Sequence, residues 1–80
     1  MTQQSPLIAL YPGSFDPVTL GHEDIARRTL RVVDRLIVGV AETSTQSKTP
    51  TFTVAERIGL LDEVFSDEPR IDCEAFPDLL

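Results

Sequence analysis

The stretch YPGSFDPVTLGH, Tyr11 to His22, decides how this chain is read. It follows a short apolar run, LIALY, and leads into EDIARRTLRVVD, whose spacing is helical. Between those two elements stand two glycines, two prolines, a serine and an aspartate, and the stretch ends in the chain's single histidine. Ordinary connector does not have this composition. A rigid, glycine-bearing bend between a strand and a helix is where an α/β protein holds a ligand.

Working outward, Leu7 to Tyr11 reads as a short buried strand with proline on both sides. Thr19 is placed to cap the helix that follows. Ile25, Thr29 or Leu30, and Val33 recur at helical spacing and mark its buried face. Glu23 precedes Arg27, and Asp24 precedes Arg28, by four positions, the favourable order for pairs on an exposed helix face. With Arg31 these arginines lie toward the helix C-terminus, where positive charge suits the dipole, so they read as a solvated face and not as a phosphate patch.

LIVGVA, Leu36 to Ala41, is a continuous apolar run with β-branched residues, as in a parallel strand covered on both faces. ETSTQSKTPT then reads as a surface loop. TVAE, Thr53 to Glu56, is a capping box, and the helix it opens buries Ile58, Leu61 and Phe65 or their neighbours. RIDCEAF alternates Ile71, Cys73 and Ala75 as a third strand, with Cys73 a small buried hydrophobe and not a reactive thiol. The order β-α-β-α-β predicts an α/β fold, a Rossmann-like parallel sheet with right-handed crossovers that forms half of a doubly wound domain.

Composition limits the partners. Eighty residues, 41% of them hydrophobic, make at most one small domain. Thirteen acidic residues against seven basic ones give a net charge of −6, which repels a nucleic-acid backbone, so no nucleic-acid partner is expected. MTQQSP lacks the features of a signal peptide, and no apolar run reaches membrane-spanning length; the chain reads as cytoplasmic, with no membrane partner. One cysteine and one histidine leave neither a disulfide framework nor a zinc ligand set, and no protein metal site is expected. A small phosphorylated ligand remains compatible if N–H groups, a helix N-terminus or a lysine attracts it locally.

The bend supplies such groups. Gly13 lets the backbone approach a bound group without a Cβ, Ser14 adds a hydroxyl, and Pro12 and Pro17 restrict the loop before any ligand arrives. His22 falls in the first helical turn, where a bound polyphosphate would draw positive charge that the helix dipole otherwise disfavours. Asp16, preceding proline, is read as fixing its own turn and not as a metal ligand.

YPGSFDPVTLGH resembles the N-terminal signature of the phosphopantetheine adenylyltransferase family, within the nucleotidyltransferases that carry a T/H-x-G-H motif; Thr19 to His22, TLGH, stands for that motif. SKTPTFTVAER, Ser47 to Arg57, is similar to the family's lysine-proline loop followed by F-T-x-x-E-R, and FPDLL to its segment after the third strand. The resemblance implies transfer of the adenylyl group of ATP to 4′-phosphopantetheine, giving dephospho-coenzyme A and pyrophosphate in coenzyme A biosynthesis. Mg2+ would be bound mainly through the ATP phosphates. By the same resemblance Ser14 contacts the pantetheine phosphate and the nucleotide, and Phe15 gives an adjacent backbone contact to ATP. His22 holds the ATP phosphates and stabilises the transition state. Lys48 grips the incoming phosphate, and Leu80 lies along the pantetheine arm.

Members of that family are considerably longer, with later R-G-L-R-type and serine-rich segments, and form hexamers. Residues 1–80 are therefore read as the N-terminal half of a single nucleotidyltransferase domain, apparently truncated, a homo-oligomer only at full length and with little or no turnover alone. The alternatives are a non-catalytic fragment that binds phosphate or pantetheine, or a related nucleotidyltransferase with another phosphorylated substrate.

Overall fold

The structure is a computed structural model that describes residues 5–42 and 52–77. Its elements follow the expected order: β1 (Ile8–Gly13), α1 (Leu20–Thr29), β2 (Arg35–Ala41), α2 (Val54–Val64) and β3 (Ile71–Phe76). The three strands form one parallel sheet in the order β1-β2-β3, with Tyr11 beside Val38 and Val38 beside Cys73. This is the α/β, Rossmann-like half that the sequence predicts. The loop reading of Glu42 to Thr51 falls largely on residues outside those described.

Both crossovers step in the same direction, so right-handed connections put both helices on one face of the sheet. The packing agrees. Leu36, Val38 and Val40 of β2 and Ile71 of β3 bury their side chains against Ala26 and Leu30 after α1's first turns and Leu61 and Phe65 of the α2 side. On the opposite face Ile8 and Leu10 are about half exposed. Among the described residues β1 is therefore not the buried strand expected: it stands at the edge of the sheet, only one of its faces is covered by the helices, and exposure alternates along it. Nor does Pro12 end it. A proline costs an edge strand no ladder bond on its open side, so pairing continues to Gly13.

β2 is buried nearly throughout, as its apolar run predicts, although the helices cover only one of its faces. On the other face Leu10 and Phe76 lean from the flanking strands over Gly39. A Cβ there would come within 3.1 Å of both side chains, so glycine is what lets the neighbours close over the middle strand.

The helices are punctuated by matching devices. Thr19 caps α1 and Thr53 caps α2, each with the third helical residue reaching back to the cap N–H. The α1 face is rotated from the one expected. Ala26, Leu30 and Val33 face the core, whereas Ile25 is 51% exposed. Ile25, Thr29 and Val33 are spaced by four and four, Ala26, Leu30 and Val33 by four and three, and a helix accommodates both; α1 stops at Thr29, and the turn after it carries Leu30 and Val33 inward. The charged face is as expected: Arg27 pairs with Glu23 at 2.8 Å and Arg28 with Asp24 at 3.0 Å. Arg27 also reaches Asp67 at 3.0 Å and the Val64 carbonyl, and lies over the Phe65 ring, tying α1 to the end of α2. Its charge is thus committed to carboxylates.

Cys73 is half-buried among core neighbours, as expected for a small hydrophobe. Burial pushes its thiol up to about 12, with the Asp62 and Asp72 carboxylates acting in the same sense. The unfolded thiol ionises near 9 and the folded one does not, so folding loses stability as pH rises from about 9 toward 12. Urea midpoints taken across that window should fall more steeply for the unsubstituted chain than for Cys73→Ala; equal slopes would contradict this. A second check concerns the α1 register. Leu30→Ala, at the buried C-cap of α1, should lower stability by about 2–5 kcal/mol, whereas Ile25→Ala should cost no more than about 0.5 kcal/mol in the same urea titration.

Candidate anion site at the carboxyl end of the sheet

The bend from Ser14 to Thr19 leaves β1 at the end of the sheet where β2 also terminates, and α1 starts directly behind it. Three aromatic rings organise it. Phe15 is 3% exposed and meets Tyr11 edge-on at 5.1 Å and His22 at 4.9 Å between ring centroids; Tyr11 and His22 are 6.3 Å apart. The backbone of Phe15 has φ +48°, a left-handed conformation that a bulky residue seldom adopts. That conformation costs about 1–3 kcal/mol. Burying a phenyl ring returns about 1.5–3 kcal/mol, and each edge-on aromatic contact adds about 0.5–1.5 kcal/mol. Packing wins.

Gly13 takes part differently from its expected role. A Cβ on it would meet the Phe15 ring at 3.0 Å, so the space that glycine opens is filled by the protein's own phenyl group and not left for a ligand. Asp16 also departs from the reading made of it. Its Oδ1 accepts a 2.8 Å bond from the Phe52 N–H, across to the segment entering α2, and does not merely fix its own turn. The peptide bond that follows it, Asp16–Pro17, is cis.

His22 is the third residue of α1. Its Nδ1 accepts from the Thr19 N–H at 3.0 Å, while Thr19 Oγ1 accepts from the His22 N–H at 3.3 Å. Capping and packing are thus both observed for this histidine. They leave the other nitrogen free for further work: with Nδ1 accepting, a neutral ring carries its proton on Nε2, and Nε2 makes no hydrogen bond among the described residues. Ser14 is half-buried beside the bend, and its carbonyl is held by Arg57. The structure brings Ser14, Phe15 and His22 together at one end of the sheet. Lys48 and Leu80 lie outside the described residues.

Arg57 was assigned no role from the sequence. It is buried at 3% exposure, four residues before Leu61 and eight before Phe65, on the stripe that faces the core. Its guanidinium donates from Nη1 to the Ser14 carbonyl at 2.9 Å and to the Ala41 carbonyl at 3.3 Å, and from Nε to the Thr53 carbonyl at 3.4 Å. One side chain therefore joins the end of β1, the end of β2 and the start of α2. An arginine in register with buried leucine and phenylalanine was the available signal.

A family described as cytidylyltransferase-like matches residues 10–78. The chain belongs to that family. It is 50% identical over 92% of its length to a phosphopantetheine adenylyltransferase of Alkalilimnicola ehrlichii, and 53% identical over 90% to one of Lachnoclostridium phytofermentans. A third, from Thiobacillus denitrificans, is 47% identical over 92% of the chain. The chain spans 42%, 43% and 45%, respectively, of the lengths of these relatives.

The geometry predicts which nitrogen of His22 bears the proton. Long-range 15N–1H correlation at a pH where the ring is neutral should find it on Nε2; a proton on Nδ1 would contradict the capping arrangement.

Proposed function

We propose that this chain provides the anion-binding half of an adenylyltransferase site that joins ATP to 4′-phosphopantetheine. The observation that carries the reading is the fixed bend itself. In a chain 47–53% identical to relatives of that name, it sets the free nitrogen of His22 at the first turn of a helix, beside Ser14 and Phe15, at the carboxyl end of a parallel sheet.

In such a reaction a phosphate oxygen of phosphopantetheine attacks the α-phosphorus of ATP. A new P–O–P linkage forms, the α–β bond breaks, and pyrophosphate leaves with the bonding electrons. Both reactants are anionic, so their alignment and the compensation of their charge make up most of the catalytic task. The first-turn N–H groups of α1 and its dipole favour phosphate oxygens, and His22 Nε2–H can donate to the α-phosphate as charge builds in the transition state. Lys48 would meet the phosphate of the nucleophile as a mobile point charge, and Leu80 would line the pantetheine arm. The Ser14 hydroxyl would stand between the two substrates.

The donor set fits a nucleotide whose metal is held by its own phosphates: His22 and the helix start offer N–H groups, not an oxygen cage. Magnesium, when bound, would neutralise phosphate charge, and His22 and the N–H groups would hold what oxygens remain. Cytoplasmic residence, a place in coenzyme A synthesis and a hexameric assembly belong to this same proposal. What the structure contributes directly is narrower: no helix among the described residues is long and apolar enough to cross a membrane.

Because the chain covers less than half of its relatives, a reading as a non-catalytic fragment that binds phosphate has its own support. Pyrophosphate release with ATP, magnesium and 4′-phosphopantetheine separates the two. Little or no turnover is expected from the 80 residues alone. In a full-length protein carrying them, turnover is expected and His22→Ala should lower kcat about 100- to 1,000-fold. Lys48→Ala should weaken use of phosphopantetheine more than use of ATP. Full-length protein without turnover, or a His22→Ala variant within tenfold of the parent, would overturn the adenylyltransferase reading.

A further inference from the structure

The proposed chemistry leaves Arg57 without a part, although among the described residues it is the only charged side chain that is buried. Removing a guanidinium from water is costly unless each face of its fork is met by an acceptor. Here the acceptors that the described residues supply are main-chain carbonyls from three separate segments, and none of the ion pairs among those residues includes it. Lysine could not reproduce this arrangement, since a single ammonium lacks a planar fork with donors facing several directions.

The bond to Ser14 has a directional consequence. The Ser14–Phe15 peptide is trans, so its carbonyl and the Phe15 N–H point in opposite directions. With the carbonyl held inward at 2.9 Å by Arg57, the Phe15 N–H is turned away from the guanidinium. It donates to no backbone or side-chain acceptor among the described residues. The left-handed backbone at Phe15 and the burial of its ring keep the peptide from rotating back.

We propose that Arg57 is a positioning residue of the site: by holding the Ser14 carbonyl it presents the Phe15 N–H as a donor to a phosphate oxygen of the nucleotide. This rests on the adenylyltransferase reading above. Arg57 touches no reacting atom. It acts through one peptide plane, and the same side chain carries the ends of β1 and β2 and the start of α2 into a common frame, so the donor is aimed before the nucleotide arrives.

The test compares the two substrates in full-length protein. Arg57→Lys should raise KM for ATP about tenfold, the value of one charge-assisted hydrogen bond lost, and raise KM for 4′-phosphopantetheine, which Ser14 also meets, by no more than about threefold. A merely structural role would move both constants together or neither, and either result overturns the proposal. A measurement without substitution covers the case in which the variant does not fold. In protein labelled with 15N-phenylalanine, saturating ATP should shift the Phe15 amide resonance and leave that of Phe65, in the core, in place. A silent Phe15 amide while ATP binds overturns the role of Arg57 and leaves the adenylyltransferase reading intact. Unsubstituted protein that neither binds nor turns over ATP would instead sink that reading, and this inference with it.

Discussion

The Phe15 ring is buried between Tyr11 and His22, and the shape of the site follows from that contact. A phenylalanine backbone leaves the left-handed region unless something holds it there; here an aromatic cluster and a core of aliphatic side chains do so. The consequences run in both directions along the chain. Before it, Gly13 must lack a side chain to make room for the ring. After it, Asp16 is carried to the Phe52 N–H, and Thr19 arrives where its own N–H meets His22 Nδ1. The bend is held by its packing and by bonds to distant segments, and its two prolines are one contribution among several.

The sheet determines where that bend sits. Parallel strands joined by helices all end at the same edge, so the exits of β1 and β2 and the N-termini of α1 and α2 converge there. Arg57 makes the convergence concrete, since its bonds reach three of those four segments. The converse of stacking both helices on one face is that Ile8 and Leu10 remain half exposed on the other. Among the described residues the fold is thus asymmetric: a packed face that builds the site, and an opposite face on which the flanking strand β1 stays half exposed while Gly39 and Ala41 of the middle strand are covered.

Much of this was legible in the sequence because it is local. Element order follows from the alternation of apolar runs with capped helical segments, and the Thr53–Glu56 box and the Glu23–Arg27 and Asp24–Arg28 pairs depend only on spacing. Ser14 and His22 could be named because an unusual loop composition marks them, whereas Phe15 was named only through the resemblance of that stretch to a known family. What could not be read depends on which distant group arrives beside a residue. Ile25 and Ala26 are both compatible with a buried helical face, and the choice between them rests on where the turn after Thr29 directs Leu30. The partner of Asp16 lies 36 residues away and that of Arg57 43 residues away. Gly13 shows the same limit: its missing side chain is legible, and what occupies the space is not.

The central claim is that the bend is rigid in the absence of any ligand. Backbone 15N relaxation of the free chain tests it most directly. Residues 13–19 should have order parameters of about 0.85, indistinguishable from those of β2 and α1. Values below about 0.6 in that segment would mean that the loop takes its shape only from a bound ligand, and that the aromatic cluster does not hold it.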